Sequence, residues 1–281
     1  MELIVFDLDG TLLSSASEIS PYTRDTLREL SRRGIAYTVA TGRTLHAARD
    51  ILVGHSFELP HIYKNGVMIW TPGGAGYSHI NCLSQSEIQH VLEAVLAQCL
   101  TPFIFTLEPG DRHAIYHPPL LHEVENTLAR AFAEREGVAV LPASQIPAEA
   151  EISNISALGK PEAIDAVAAM VAGEPGLIAY SGNALEGGGL KWLDIHHSDA
   201  SKGGAVSILR EQLGVERVLC FGDSDNDLSM FALADECYAP ENAKEEVKKA
   251  ATAVIGHHDD DGIARFLRQR FELPPYDQGT G

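Results

Sequence analysis

The chain opens on an unbroken apolar run, Leu3 to Phe6, that stops abruptly at Asp7, and a second run, Ile35 to Ala40, stops at Thr41. Continuous runs of this length mark strands covered on both faces. The intervening SPYTRDTLRELSRRG carries helix punctuation, with Ser20 at the cap, Pro21 in the first turn and Gly34 as the stop. Strand, helix, strand in this order predicts a parallel sheet with right-handed crossovers. Both strand ends then face one sheet edge, which puts Asp7 beside Thr41 where open α/β sheets hold ligands.

The same grammar returns near the C-terminus: a helix over SKGGAVSILREQLG, the strand VLCFG ending at Asp223, a helix after SDND, a helix over NAKEEVKKA, the strand TAVIG and a helix from Gly262 to Arg270. The closing LPPYDQGTG is expected as a loose tail. From Leu83 to Gly188 the pattern changes. A capping box of Ser84 and Glu87 starts a helix through Ala97, followed by strands over PFIFTL and His113 to Tyr116 and by helices over Glu123 to Glu136 and PEAIDAVAAMVAG. The expected organisation is a parallel-sheet α/β core of residues 1–82 and 189–281 with an inserted α+β domain of residues 83–188. Loop punctuation at TPGGAG and EGGG marks the joints.

Composition narrows the function classes. The 281 residues carry a net charge of −18, which disfavours nucleic acid and anionic membranes as partners but leaves room for small anionic substrates in a locally positive pocket. No apolar stretch reaches the roughly 20 residues of a membrane span. The four cysteines, Cys82, Cys99, Cys220 and Cys237, show no paired spacing, so buried free thiols and a cytoplasmic location are expected. His196-His197 and His257-His258 are expected on solvated loops, since adjacent side chains point in different directions.

Candidate chemistry concentrates in acids at strand ends. Asp7 and Asp9 in Asp7-Leu8-Asp9-Gly10-Thr11-Leu12 stand one residue apart where a buried strand stops, a costly arrangement unless a cation is shared. Hard oxygen ligands select Mg2+. A turn-and-cap role for the pair is the competing reading. Asp223, Asp225 and Asp227 in Gly222-Asp223-Ser224-Asp225-Asn226-Asp227 follow another buried strand at the same expected edge, although such a string also suits a solvated helix start. Thr41-Gly42-Arg43 and Ser201-Lys202-Gly203 each follow this pattern of a polar hydroxyl or lysine at an expected helix start, suited to phosphate and equally to ordinary capping.

With these four strings in order, the chain resembles the haloacid dehalogenase superfamily of phosphohydrolases, in its Cof-type branch with a large α+β cap between the second and third motifs. Asn65-Gly66 also resembles that branch, a plain hairpin turn being the alternative. The resemblance implies a Rossmann-like core with an inserted α+β cap that closes over the site and selects substrate. It implies Asp7 as the nucleophile that forms an aspartyl phosphate, and Asp9 as general acid and then base. Mg2+ would be held by the Asp7 carboxylate, the Asp9 carbonyl and the Asp223 carboxylate, with Asp227 supporting the metal or orienting Lys202. Thr41, Gly42, Lys202 and Asn226 would hold the transferred phosphoryl group. The expected activity is hydrolysis of small phosphomonoesters such as sugar phosphates, by a monomer or weak dimer. A sugar phosphomutase and a non-catalytic phosphate-binding regulator are the alternatives. Arg112, His113, His117 and Glu186 are cap candidates for a polyol, or ordinary loop residues.

Overall fold

The computed structural model describes residues 2–74, 76–109, 112–184 and 188–276. It separates into two units, Met1–His79 with Ser201–Gly281, and Ile80–Ala200. The first begins with β1 (Glu2–Phe6), α1 (Pro21–Arg32), β2 (Ala36–Val39), α2 (Leu45–Leu52), a hairpin of β3 (His61–Tyr63) and β4 (Met68–Trp70), and β5 (Tyr77–Ile80). The second contains α3 (Gln85–Ala97), β6 (Phe103–Glu108), β7 (Arg112–His117), α4 (Glu123–Ala133), β8 (Val138–Pro142), β9 (Glu151–Gly159), α5 (Pro161–Val171), β10 (Leu177–Asn183) and β11 (Lys191–His197). The chain then returns to the first unit with α6 (Lys202–Leu213), β12 (Arg217–Phe221), α7 (Leu228–Phe231), β13 (Glu236–Pro240), α8 (Glu245–Ala250), β14 (Ala253–Ile255) and α9 (Gly262–Arg270).

In the first unit the sheet order is β14-β13-β12-β1-β2, with every pairing parallel. The interior strand β1 explains the unbroken apolar run: Leu3, Ile4, Val5 and Phe6 are all fully buried. Leu3 and Val5 join Val206, Leu209, Val218 and Cys220 in one core cluster, while Phe6 stacks on the other face against Phe221 at 5.4 Å between ring centroids. Ser20 caps α1 as its position predicts, its Oγ accepting from the Thr23 amide at 3.0 Å. Phe6 registers with Phe221 and with Val39, so β1, β12 and β2 end side by side.

The second unit carries a sheet of order β10-β11-β9-β6-β7-β8, antiparallel except where β7 meets β8. Ile104, Ile155 and Ile195 pack with Val91, Val95, Ile164 and Val167 from α3 and α5 on one face, and Phe103, Phe105 and Ile115 with Phe132 of α4 on the other. This is the α+β arrangement expected of the insertion, but its second seam differs. Residues 189–200, expected in the core, include β11, which pairs with both β10 and β9 and so belongs to the inserted sheet. His196, expected on a solvated loop, is fully buried in that strand. Cys99 is exposed rather than buried, whereas Cys220 and Cys237 are buried and unpaired. The Glu87 side chain, Glu186 and residues 277–281 lie outside the described residues.

Candidate active site

The segment after β1 leaves the strand through a tight, kinked turn over residues 8–12. Gly10 has φ +74, and a Cβ built there would lie 2.7 Å from Asp223 Oδ2, so the turn demands glycine on conformational and on steric grounds. The close approach brings the β1 and β12 ends together: the Asp7 amide donates to the Phe221 carbonyl at 2.9 Å, and Thr11 Oγ1 donates to Asp223 Oδ1 at 3.2 Å. Asn242, at the turn before α8, donates to the Gly10 carbonyl at 2.7 Å.

Lys202 at the start of α6 is fully buried, and its Nζ donates to Asp7 Oδ1 at 2.5 Å and to Asp227 Oδ1 at 2.6 Å. Burial works against its charge, but Asp227 and Asp7 outweigh that and hold the ammonium above its ordinary value. The other Asp227 oxygen accepts from the amides of Asp223 and Ser224, both at 2.9 Å, which closes the loop after β12. Asp7 has its carboxyl pushed well up by burial, with Asp227 and Asp223 adding to the rise and Lys202 opposing it. Asp223 is likewise raised to about 6, by burial first and Asp227 second.

Carboxylate oxygens of Asp7, Asp223 and Asp227 lie within 4.8 Å of one another. A single lysine offsets only part of the cost of holding three such groups together, and burial raises the Asp7 and Asp223 carboxyls further. An additional cation fits this donor set, and three hard oxygens favour a small divalent ion. His257, His258 and Asp259 form a second close group of ligand-type atoms. Its members are engaged locally: His258 Nδ1 meets the Leu13 carbonyl at 2.7 Å, and Asp259 accepts from the Ser15 amide and hydroxyl.

Thr41 follows β2 as expected but does not open a helix. Thr44 caps α2, and residues 41–43 form a bend in which Thr41 Oγ1 accepts from the Arg43 amide at 3.1 Å. Arg43, which the sequence offered only as part of a string, grips Asp9 with Nε to Oδ2 at 2.7 Å and Nη2 to Oδ1 at 2.5 Å. Asn226 donates through Nδ2 to Asn65 Oδ1 at 2.9 Å, an interaction across 161 positions that nothing in the local sequence announces. Asn65-Gly66 is a hairpin turn between β3 and β4, and it also reaches this site. A Cβ on Gly66 would fall 2.2 Å from the Ser201 carbonyl oxygen, so the turn presses directly against the entrance of α6. Asp7, Asp9, Thr41, Gly42, Lys202, Asp223, Asn226 and Asp227 thus all belong to the first unit. In the second, Arg112 pairs with Glu108 at 3.4 Å, and His117 Nδ1 meets the Pro118 carbonyl at 2.7 Å.

The chain resembles known proteins over nearly its full length. The family model for haloacid dehalogenase-like hydrolases matches residues 4–267. Phosphatase YwpJ of Bacillus subtilis is 28% identical, with 95% of this chain and 99% of that protein covered. The 5-amino-6-(5-phospho-D-ribitylamino)uracil phosphatase YwtE of the same organism is also 28% identical, over 96% of this chain and 98% of that protein. A solved haloacid dehalogenase-like hydrolase from B. subtilis superposes with a TM-score of 0.78 at 25% identity, covering 95% of this chain and 99% of its own.

Proposed function

The chain belongs to the haloacid dehalogenase-like hydrolases and is a phosphoric monoester hydrolase, and we propose that it removes phosphate from small phosphomonoesters, sugar phosphates foremost, in a Mg2+-dependent reaction through Asp7. The observation that carries the reading is the buried ammonium of Lys202 held between Asp7 and Asp227, with Asp223 alongside. A lysine at this depth serves stability poorly, because burying charges costs more than most ion pairs return. It serves an anionic reactant well.

Asp7 attacks the phosphorus in line with the ester oxygen, forming the aspartyl phosphate as the P–O bond to the leaving group breaks. Asp9 gives its proton to the departing alkoxide, then takes one from the water that attacks the acyl phosphate, which frees inorganic phosphate and regenerates Asp7. Lys202 fixes the Asp7 oxygen and offsets charge on the transferred group, together with Thr41, the Gly42 amide and Asn226. Asp227 holds Lys202 and the loop that carries Asp223. Arg43 positions Asp9 through its bonds to the carboxyl group. The Asp7 and Asp223 carboxylates and the Asp9 carbonyl would hold Mg2+, which when bound neutralises the acids and the substrate phosphate.

Free Cys220 and Cys237 support a reducing, cytoplasmic location, and the net charge of −18 supports a small-molecule substrate over nucleic acid or membrane. The test is phosphate release from sugar phosphates, nucleotides and p-nitrophenyl phosphate, with wild type beside Asp7→Ala and with EDTA followed by Mg2+. Release by wild type only, stopped by chelation and restored by Mg2+, is the expected result. Substantial turnover by Asp7→Ala overturns the assignment of the nucleophile.

A further inference from the structure

Asn65, in the turn after β3, lies outside the four strings and touches two of them, and its surroundings suit a ligand-binding group. It is 3% exposed and adopts φ 55, ψ 32, in the left-handed region, where an asparagine is tolerated better than most residues. Its amide donates to the Thr41 carbonyl at 3.0 Å, which ties it to the bend after β2. Its Oδ1 accepts from Asn226 Nδ2 at 2.9 Å, which ties it to the loop after β12. Its carboxamide lies close to Gly42: a Cβ built on that glycine would sit 3.2 Å from Oδ1 and 3.4 Å from Nδ2. The adjacent Gly66 contacts the Ser201 carbonyl, one residue before Lys202.

The carboxamide therefore has its oxygen committed while Nδ2 donates to no protein acceptor among the described residues. Nδ2 is not closed off from solvent, so a ligand oxygen can reach its two uncommitted N–H groups. The groups that surround it, the Gly42 amide and Asn226, are those assigned above to the phosphoryl oxygens. We propose that Asn65 Nδ2 is a further donor to the transferred phosphoryl group. This rests on the phosphatase reading, and it adds a residue from the β3–β4 turn to the phosphate cradle. A missing Cβ at Gly42 is what lets the amide lie this close to the bend.

Two variants separate a direct donor from a prop for Asn226. Asn65→Gly fits the positive φ and deletes the carboxamide. Asn65→Asp keeps an oxygen to accept from Asn226 but replaces the donor with a negative charge. The proposal expects kcat/KM to fall about 10²-fold in Asn65→Gly, the scale for one oxyanion donor, and at least about tenfold further in Asn65→Asp. Competitive inhibition by inorganic phosphate should weaken in the same order. Asn65→Asp retaining as much activity as Asn65→Gly, or more, overturns it, because a prop needs only the acceptor. Should Asn65→Asp fail to fold, Asn65→Gly in an Asn226→Ala background decides: a loss of similar size supports direct donation, and no further loss refutes it. Inorganic phosphate binding, read from the thermal shift of wild type and Asn65→Gly, keeps the two readings apart. A wild type that binds phosphate without turnover sinks the hydrolase reading alone, while equal phosphate shifts in the two proteins sink the role of Asn65 alone.

Discussion

Replacing Lys202 by methionine tests the charge balance of the site directly. The methionine fills most of the space of the lysine stem and deletes only the ammonium, which stands 2.5 Å from Asp7 and 2.6 Å from Asp227. Two buried carboxylates then lose their counter-ion beside a third, Asp223. Breaking a buried pair by removing one partner costs about 3–5 kcal/mol, which for a chain of this size lowers the melting temperature by about 6–20 °C. Turnover should fall by about 10²–10³ if Lys202 stabilises the transferred phosphoryl group as proposed. The measurement is thermal and urea unfolding at neutral pH in EDTA and again with Mg2+, which should narrow the gap by neutralising the same acids. The double variant Lys202→Met/Asp227→Asn should regain part of the loss, because the amide leaves fewer uncompensated charges and can still accept from the Asp223 and Ser224 amides. A destabilisation under about 1 kcal/mol in EDTA, or a double variant less stable than the single one, would refute the reasoning.

Three other outcomes follow from the same structure. Asp223, raised from 3.8 to about 6, contributes stability that is fully present below the unfolded value and lost as pH rises through about 6, a span worth about 3 kcal/mol; Mg2+ should therefore raise the melting temperature more at pH 8 than at pH 5, and a gain independent of pH contradicts this. His61 is buried between the Tyr63 hydroxyl and the Phe57 carbonyl, and burial lowers it from 6.5 to about 4. It contributes stability present above about 6.5 and lost as pH falls toward 4, about 3 kcal/mol in all, so urea unfolding of His61→Phe should show a shallower acid slope than wild type, and equal slopes reject the assignment. Gly10→Ala puts a methyl against Asp223 in a left-handed backbone, which costs about 1–3 kcal/mol and, by moving Asp223 and Asp9, about 10²-fold in kcat; unchanged kinetics would show that the turn adapts.

Much of the core was readable because its signals are local. The runs before Asp7 and Asp223 are unbroken, and Thr38 alone interrupts the one before Thr41, since both faces of these strands are covered; that pattern survives without knowledge of the partners. Parallel topology then makes convergence of the strand ends a geometric consequence, so the pattern alone groups Asp7, Asp223 and Asp227. The inserted unit was less transparent. No strand was expected over β9 or β11, which carry Asn154, Ser156 and Asp194; the bonds of Asn154 Nδ2 and Ser156 Oγ to Asp194 Oδ1, both at 2.6 Å, help make those polar groups compatible with a sheet.

Legible from the residues alone, therefore, were most elements of the parallel-sheet core, the α/β class, and the set of acids and the lysine that meet at one edge, because hydrophobic period, capping and strand-end chemistry are written within a few residues of each other. What the tertiary structure alone decided is who holds whom: Lys202 between Asp7 and Asp227, Arg43 on Asp9, Asn65 under Gly42 and against Asn226, and β11 in the inserted sheet. Those pairings join residues as much as 195 positions apart. They depend on burial and on angstrom-scale approach across the packed chain, which no local pattern encodes.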